Sequence, residues 1–313
     1  MSENLFPGIP LIESPVFDAR SGSWALTEEE QRIATSLNER GYAVLDFPDA
    51  DLEARISRIQ ERLGPRYGID FADPESNKTL GERRIQDAWK FDDDVRAIAA
   101  NQVVLDLLSK LYGRAAFPFQ TLNFPVGTQQ EGHSDSVHFS SLPERFMCGV
   151  WVAMEDVGPD AGPLFYYPGS HRWPVMSNAL IGRRGFGEKV ASAQDPYGPA
   201  WHALCEAHGM QQEAFHARKG QALIWSANLL HGGSRQLDSR LTRWSQVTHY
   251  YFDDCIYYTP ALSDEAIGRL QLRDITAIHD GSRRPNQYLG EEFKGYSKKR
   301  KASPWRTMKS WLK

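Results

Sequence analysis

Phe119-Gln-Thr-Leu-Asn-Phe-Pro-Val-Gly-Thr-Gln-Gln-Glu-Gly-His-Ser-Asp135 is the stretch on which the fold turns. Its first six residues read as a β-strand, Pro125 and Gly127 break the run, and the turn ends in His133-Ser-Asp135. An imidazole and a carboxylate two residues apart in an extended or turning segment point to the same side, which suits neighbouring ligand positions on one metal ion. The tripeptide alone is a weak signal, because nine histidines in 313 residues make one His-x-Asp a roughly even-odds accident. Two things add weight. No other histidine here has an acidic residue two places on, and this one follows a strand, where barrel rims carry chemistry.

Working outward, the same β character recurs. Short runs at Phe146 to Met154, Gly162 to Tyr167, Glu213 to Ala217, Ala222 to Trp225 and Arg243 to Phe252, punctuated by Gly and Pro, predict a sandwich or barrel. Residues 173–212 interrupt it with no strand pattern and a helix expected at the end, and a segment that long is usually functional or mobile. The first third reads differently. Thr27-Glu-Glu-Glu30 is a capping box, Ile33, Ala34 and Leu37 form a helical stripe, Gly41 is the stop, and Tyr42 to Phe47 is a strand. A second helix is predicted from Asp51 to Leu63, and a third from about Asp93 to Tyr112 ending at Gly113.

A metal site needs further ligands. His231 is the best candidate: it ends the apolar run from Ala222 to Leu230 and is followed by Gly232-Gly233, which let backbone approach a ligand closely. A hydrogen-bonded histidine at a strand end is the equally weighted alternative. Two imidazoles and one carboxylate are the set a mononuclear iron(II) oxygenase uses, leaving the opposite positions for a co-substrate and dioxygen. Arg243 could bind a buried carboxylate through two parallel charge-assisted hydrogen bonds, and Arg240 competes for that role.

Composition excludes several classes. A 41% hydrophobic, 24% charged chain is ordinary for a globular protein, and a net charge of −4 carries no nucleic-acid signature. Three isolated cysteines, Cys148, Cys205 and Cys255, form neither a disulfide framework nor a metal-spaced set, which fits a cytoplasmic protein. No signal-peptide pattern and no bilayer-length apolar run is seen.

Further motifs fall in a fixed order around these residues: Trp151 in Cys148-Gly-Val-Trp-Val-Ala-Met-Glu-Asp156, Gly162-Pro-Leu, Pro168-Gly-Ser-His171, His231-Gly-Gly, and Arg243 six residues before His249-Tyr250. Over roughly residues 41–252 this pattern resembles the phytanoyl-CoA dioxygenase-like iron(II)/2-oxoglutarate oxygenases. The resemblance implies a mainly β fold with flanking α: a double-stranded β-helix of the jelly-roll or cupin-like type, with N-terminal helices packed on the major sheet. It implies one oxygenase domain over 1–260, helical over about 27–113, with its β-helix core at about 117–252 and an active-site insertion at about 173–212. A C-terminal extension then covers 261–313.

The implied ligands of Fe(II) are His133, Asp135 and His231. Arg243 is the expected anchor of 2-oxoglutarate, although it falls twelve residues after the metal histidine, which makes the loop from Ser234 to Thr242 unusual. Trp151 is expected to line the co-substrate pocket, with a core position as the lesser alternative. Gln120, Thr121 and Asn123 are candidate co-substrate contacts, with plain strand residues as the alternative. His171 reads as structural, His249 as packing, and His138 as near the metal loop without an assigned role. The implied reaction is hydroxylation of a C–H bond by O2 with release of succinate and CO2. The retained carboxylate of Asp135 argues against halogenation, and desaturation or ring formation stays open. A non-catalytic cupin-like binding protein and a zinc isomerase or hydrolase are the other classes to weigh.

The substrate is expected to be a small molecule or a lipid-linked one, and no nucleic-acid partner is expected. Residues 298–313 carry seven basic and no acidic residues, leaving 29 of the 36 basic residues against all 40 acidic ones, a balance of −11 elsewhere. With Trp305, Met308, Trp311 and Leu312 on one helical face, the segment has the pattern of a peripheral membrane contact, against the simpler reading of a solvated basic tail.

Overall fold

The computed structural model describes residues 4–81 and 83–294, so the basic segment 298–313 lies outside the described residues. After a one-turn helix α1 (Phe17–Arg20), helix α2 (Glu28–Arg40) forms on its capping box, with Thr27 accepting from the Glu30 amide and Glu30 accepting from the Thr27 amide. It buries Ile33, Ala34 and Leu37 and ends at Gly41, whose φ of 84° is open to a residue without Cβ. Strand β1 (Tyr42–Asp46) follows, then α3 (Leu52–Leu63), which buries Leu52, Ile56, Ile59 and Leu63 at helical spacing.

The single helix predicted over 93–112 is instead two, α4 (Asp93–Ala99) and α5 (Gln102–Tyr112). Asn101 causes the break. Its side chain accepts from the Val104 amide, so its backbone leaves the helix to cap the next one. Arg55, Arg58 and Arg62 of α3 clamp Asp94, and Arg62 also holds Asp92, which tethers α4 to α3.

The strands that follow are β2 (Ile85–Gln86), β3 (Ala116–Phe124), β4 (Ser140–Leu142), β5 (Met147–Ala153), β6 (Leu164–Tyr166), β7 (Glu213–Phe215), β8 (Gln221–Ser226), β9 (His231–Gly233), β10 (Ser245–Phe252) and β11 (Ile256–Tyr258), with two-residue strands after them between Ile275 and Glu292. β1 and five of these form an antiparallel major sheet in the order β1-β8-β5-β10-β3-β2, and a minor sheet has the order β7-β6-β9. The alternation of side chains then makes two cores. Val150, Val152, Ala222 and Ile224 face the helices, while Trp151, Ala153, Leu223 and Trp225 face Tyr166 and Phe215 of the minor sheet. The fold is therefore the expected jelly roll, with the N-terminal helices on the major sheet.

Two expectations need adjustment. Residue 260 does not mark a break in packing, because Ile275 and Ala277 join the main core and the Ile278 amide donates to Pro118. The 173–212 segment is tied down: Asn178 donates to the carbonyls of Pro260, Ala261 and Ser263, and helix α6 (Gly198–Ala207) sets Trp201 beside Val137 and Leu230. It thus covers the loop that carries the His-Ser-Asp motif. Among the described residues no helix is long and apolar enough to cross a membrane.

Candidate metal centre and co-substrate pocket

His133 and His231 come together because their backbones pair. Each amide donates to the other's carbonyl at 2.9 Å, an isolated antiparallel bridge that brings the loop after β3 against the start of β9. Gly232 and Gly233 permit it. A Cβ on Gly232 would stand 2.6 Å from the Gln130 carbonyl, and one on Gly233 would stand 2.3 Å from Thr128 Oγ1. The close approach these glycines serve is of chain to chain, not of chain to ligand. Asp135 opens a 3-10 turn whose cap, Ser134, donates to the Ala227 carbonyl at 2.9 Å, while Asn228 holds the carbonyls of His171 and Trp173. His171 is accordingly structural, with Nε2 3.0 Å from the Asn38 carbonyl.

The donor atoms of His133, Asp135 and His231 all lie within 4.8 Å of one another. Nδ1 of His133 is 2.9 Å from the Glu131 carbonyl, and Nδ1 of His231 is 3.0 Å from the Leu229 carbonyl. A carbonyl can only accept, so each Nδ1 carries a proton and each Nε2 is the atom turned toward Asp135. Burial, reinforced by His231, pushes His133 down to about 3, so its 3.7 Å contact with Asp135 is not an ion pair. Burial alone would raise the Asp135 carboxyl, but His231, His249 and His133 together hold it well below the usual range. Two imidazoles and one carboxylate on one side of a common point fit a divalent transition metal with open positions opposite.

Trp225 and His249 complete the surroundings of Asp135. Trp225 Nε1 donates to Asp135 Oδ2 at 2.9 Å, and His249 Nε2 stands 3.4 Å from the same oxygen, with its Nδ1 at 3.1 Å from Gln120 Oε1. His249, expected to serve packing alone, therefore faces the site. Gly149 pairs with Trp225 on one side and His249 on the other, and the Trp225 ring leans across it. A Cβ there would stand 2.1 Å from Trp225 Cζ2.

These groups open into a cavity of about 310 Å³ whose far end holds Arg243 and Trp151. Arg243 is 1% exposed and donates from Nη1 to the Gly162 carbonyl at 2.9 Å, while its Nε has no partner among the described residues. Burial lowers it to about 10 despite Glu155 nearby, so it remains a cation at neutral pH. The Trp151 Nε1 is also buried and unpaired. Two orphaned donors, one of them cationic, at the dry end of a cavity are what an incoming carboxylate would satisfy. Arg240 does not compete, since it pairs with Asp238 and Glu75 at the surface.

The structure brings His133, Asp135, His231, Arg243, Trp151 and Gln120 around this cavity and leaves Asn123 and Thr121 out of it. Asn123 is a correction. Three residues from Gln120 on a strand, it points to the opposite face, where Nδ2 donates to Gln246 at 3.2 Å beneath the helices. Sequence reasoning missed Trp225 and Gly149, whose only signal is shared parity with Leu223 and Trp151.

The family model for phytanoyl-CoA dioxygenase (PhyH) matches residues 25–241. The chain belongs to the phytanoyl-CoA dioxygenase family. The match ends just before Arg243, so the assignment of that arginine rests on its position in the cavity. No curated protein matches the chain by sequence. Among solved structures, the epimerase SnoN in complex with Fe3+, alpha ketoglutarate and nogalamycin RO is similar at 19% identity and a TM-score of 0.57, over 84% of this chain and 96% of that one. EctD from S. alaskensis with 2-oxoglutarate and 5-hydroxyectoine is similar at 20% identity and a TM-score of 0.56, over 82% and 85%. The carbocyclase SnoK from nogalamycin biosynthesis stands at 17% and 0.56, over 80% and 93%. At such identities this family member shares their fold.

Proposed function

We propose that this phytanoyl-CoA dioxygenase family member is an iron(II)- and 2-oxoglutarate-dependent oxygenase that hydroxylates a C–H bond of a small-molecule substrate. The observation that carries the reading is the opening of His133, Asp135, His231 and Arg243 onto one cavity. Bound iron(II) would supply the redox chemistry, in which O2, 2-oxoglutarate and substrate give succinate, CO2 and the hydroxylated product. The chain does the rest. His133, Asp135 and His231 present three ligand atoms on one side. Arg243 and Trp151 offer unpaired N–H groups to the co-substrate's distal carboxylate, which fixes its direction in the cavity. Leu122, Val247 and Leu223 line the wall between the two ends and keep water from it.

Hydroxylation, desaturation and ring formation share this machinery and differ in where the substrate's carbon is held. The presence of Asp135 favours oxygen transfer over halide transfer. The test is anaerobic addition of iron(II) and 2-oxoglutarate, followed by oxygen. A visible charge-transfer band and then succinate are expected, both lost in His133→Ala. Absence of both from the unaltered protein would overturn the proposal.

A further inference from the structure

The exposed mouth of the cavity has its own chemistry. Strand β2 is the edge of the major sheet and pairs Gln86 with Leu122 and Ile85 with Asn123. Leu122 faces the cavity and Asn123 faces the helices, so Gln86 and, two residues earlier, Arg84 fall on the cavity side, and both line it. The opposite rim is built by Gln130, from the loop before His133, and Gln194, from the 173–212 segment. Gln130 Nε2 donates to Gln194 Oε1 at 2.9 Å, and His138 Nε2 lies 3.4 Å from the same oxygen. The 173–212 segment thus reaches the metal loop through hydrogen bonds between side chains that also bound the opening.

The groove just outside carries both signs, Arg83 and Arg84 with Glu131 and Asp195, but the charge lining the cavity itself is one-sided. Apart from Asp135 in the metal set, no carboxylate lines the cavity, while Arg84 does and pairs with no carboxylate among the described residues. Glu131 and Asp195 line only the groove outside, and Asp195 Oδ2 is engaged by the Ser192 amide at 3.0 Å. Arg243 answers the charge of 2-oxoglutarate. Arg84, exposed at the mouth with three amides lining the same cavity, is a second cation beyond the one that meets the co-substrate's distal carboxylate.

Size and desolvation narrow the class further. A cavity of about 310 Å³ is at the small end for a ligand site and must hold the co-substrate as well. An alkyl chain laid across the rim would offer no partner to Gln86 or to the amide atoms left over from the Gln130–Gln194 hydrogen bond, and would displace their water without replacing it. A ligand with its own donors and acceptors avoids that loss.

We infer that the substrate is a small, polar, anionic molecule whose carboxylate or phosphate is bound by Arg84, with Gln86, Gln130 and Gln194 reading its hydrogen-bonding groups. This rests on the oxygenase reading above and removes the lipid-linked alternative.

The test measures succinate release by the iron-loaded enzyme with matched probes: N-acetyl amino acids against their primary amides, sugar phosphates against the parent sugars, and medium-chain fatty alcohols. The anionic member of one of the first two pairs should stimulate at a concentration about tenfold lower than its neutral partner, and which pair responds separates carboxylate from phosphate. Arg84→Gln should raise that concentration about tenfold for the anionic member and less than about twofold for the neutral one. Equal response within every pair, strongest stimulation by a fatty alcohol, or an anionic preference that survives Arg84→Gln would overturn the inference. Loss of the His133-dependent succinate formed without added substrate would instead overturn the oxygenase reading.

Discussion

Replacing Gly149 by alanine should weaken metal binding although the residue touches no metal ligand. The added Cβ would stand 2.1, 2.3 and 2.6 Å from Cζ2, Cε2 and Cη2 of Trp225. Carbon atoms settle at about 3.5 Å, so the indole must withdraw by about 1.4 Å or the strand must shift. Either movement takes Trp225 Nε1 away from Asp135 Oδ2, now at 2.9 Å. A buried hydrogen bond to an ionised acceptor contributes about 1.5–3 kcal/mol, so the affinity of the site should fall about 10- to 100-fold, as is common when a partner of a metal ligand is removed. The crowding itself costs about 1–3 kcal/mol of stability.

Two companions separate these effects. Trp225→Phe removes the donor without the clash and should weaken the metal similarly. Val150→Ala, one residue along β5 but facing the helices, should cost about 2 kcal/mol of stability and leave metal affinity unchanged. The assay is anaerobic titration with Co(II), followed by visible absorbance and calorimetry, with urea unfolding of the metal-free proteins alongside. If Gly149→Ala and Trp225→Phe both bind Co(II) within about twofold of the unaltered protein, the indole is not what holds Asp135 and the reasoning fails.

Arg243→Lys keeps a charge but loses the planar fork, and the KM for 2-oxoglutarate should rise about 10- to 100-fold, read from initial rates of succinate formation. Burial pushes His171 down to about 4 in the folded protein, below the unfolded value of about 6.5. The unfolded chain therefore binds more protons between these values, and stability present at pH 7 falls as the pH drops, by about 2 kcal/mol for this residue at pH 5. Urea unfolding of the metal-free protein should show that loss, and His171→Gln should remove about that much of it. Asn101→Ala removes the cap that starts α5 and should cost about 1 kcal/mol by thermal unfolding with little change in succinate formation.

Local signals survive in sequence because the physics behind them is local. The capping box at Thr27, the stop at Gly41 and the strand-like run from Phe119 to Phe124 each depend on residues a few positions apart, and each appears where expected. The same locality explains the failures. Asp93 to Tyr112 keeps a helical stripe across a break that one asparagine side chain makes, so periodicity alone runs through it. Gln120 and Asn123 could not both face a pocket, since three residues along a strand reverse the side. Which of the two looks inward was set by which face the helices cover.

The amino-acid sequence by itself determined the metal-ligand types and their order, because His133-Ser-Asp135 is a short-range pattern and His231-Gly-Gly marks where two backbones must meet. Only the tertiary structure decided what surrounds them. Trp225 and His249 reach Asp135 from two different strands, and they do so because the register of β8, β5 and β10 pairs both with Gly149, over which the indole can lie. Arg84 comes to the cavity in the same way, from the pairing of an edge strand that sets its side chain on the face shared with Leu122. Such relations depend on strand register and on which side of a sheet is covered, and no spacing along the chain records either.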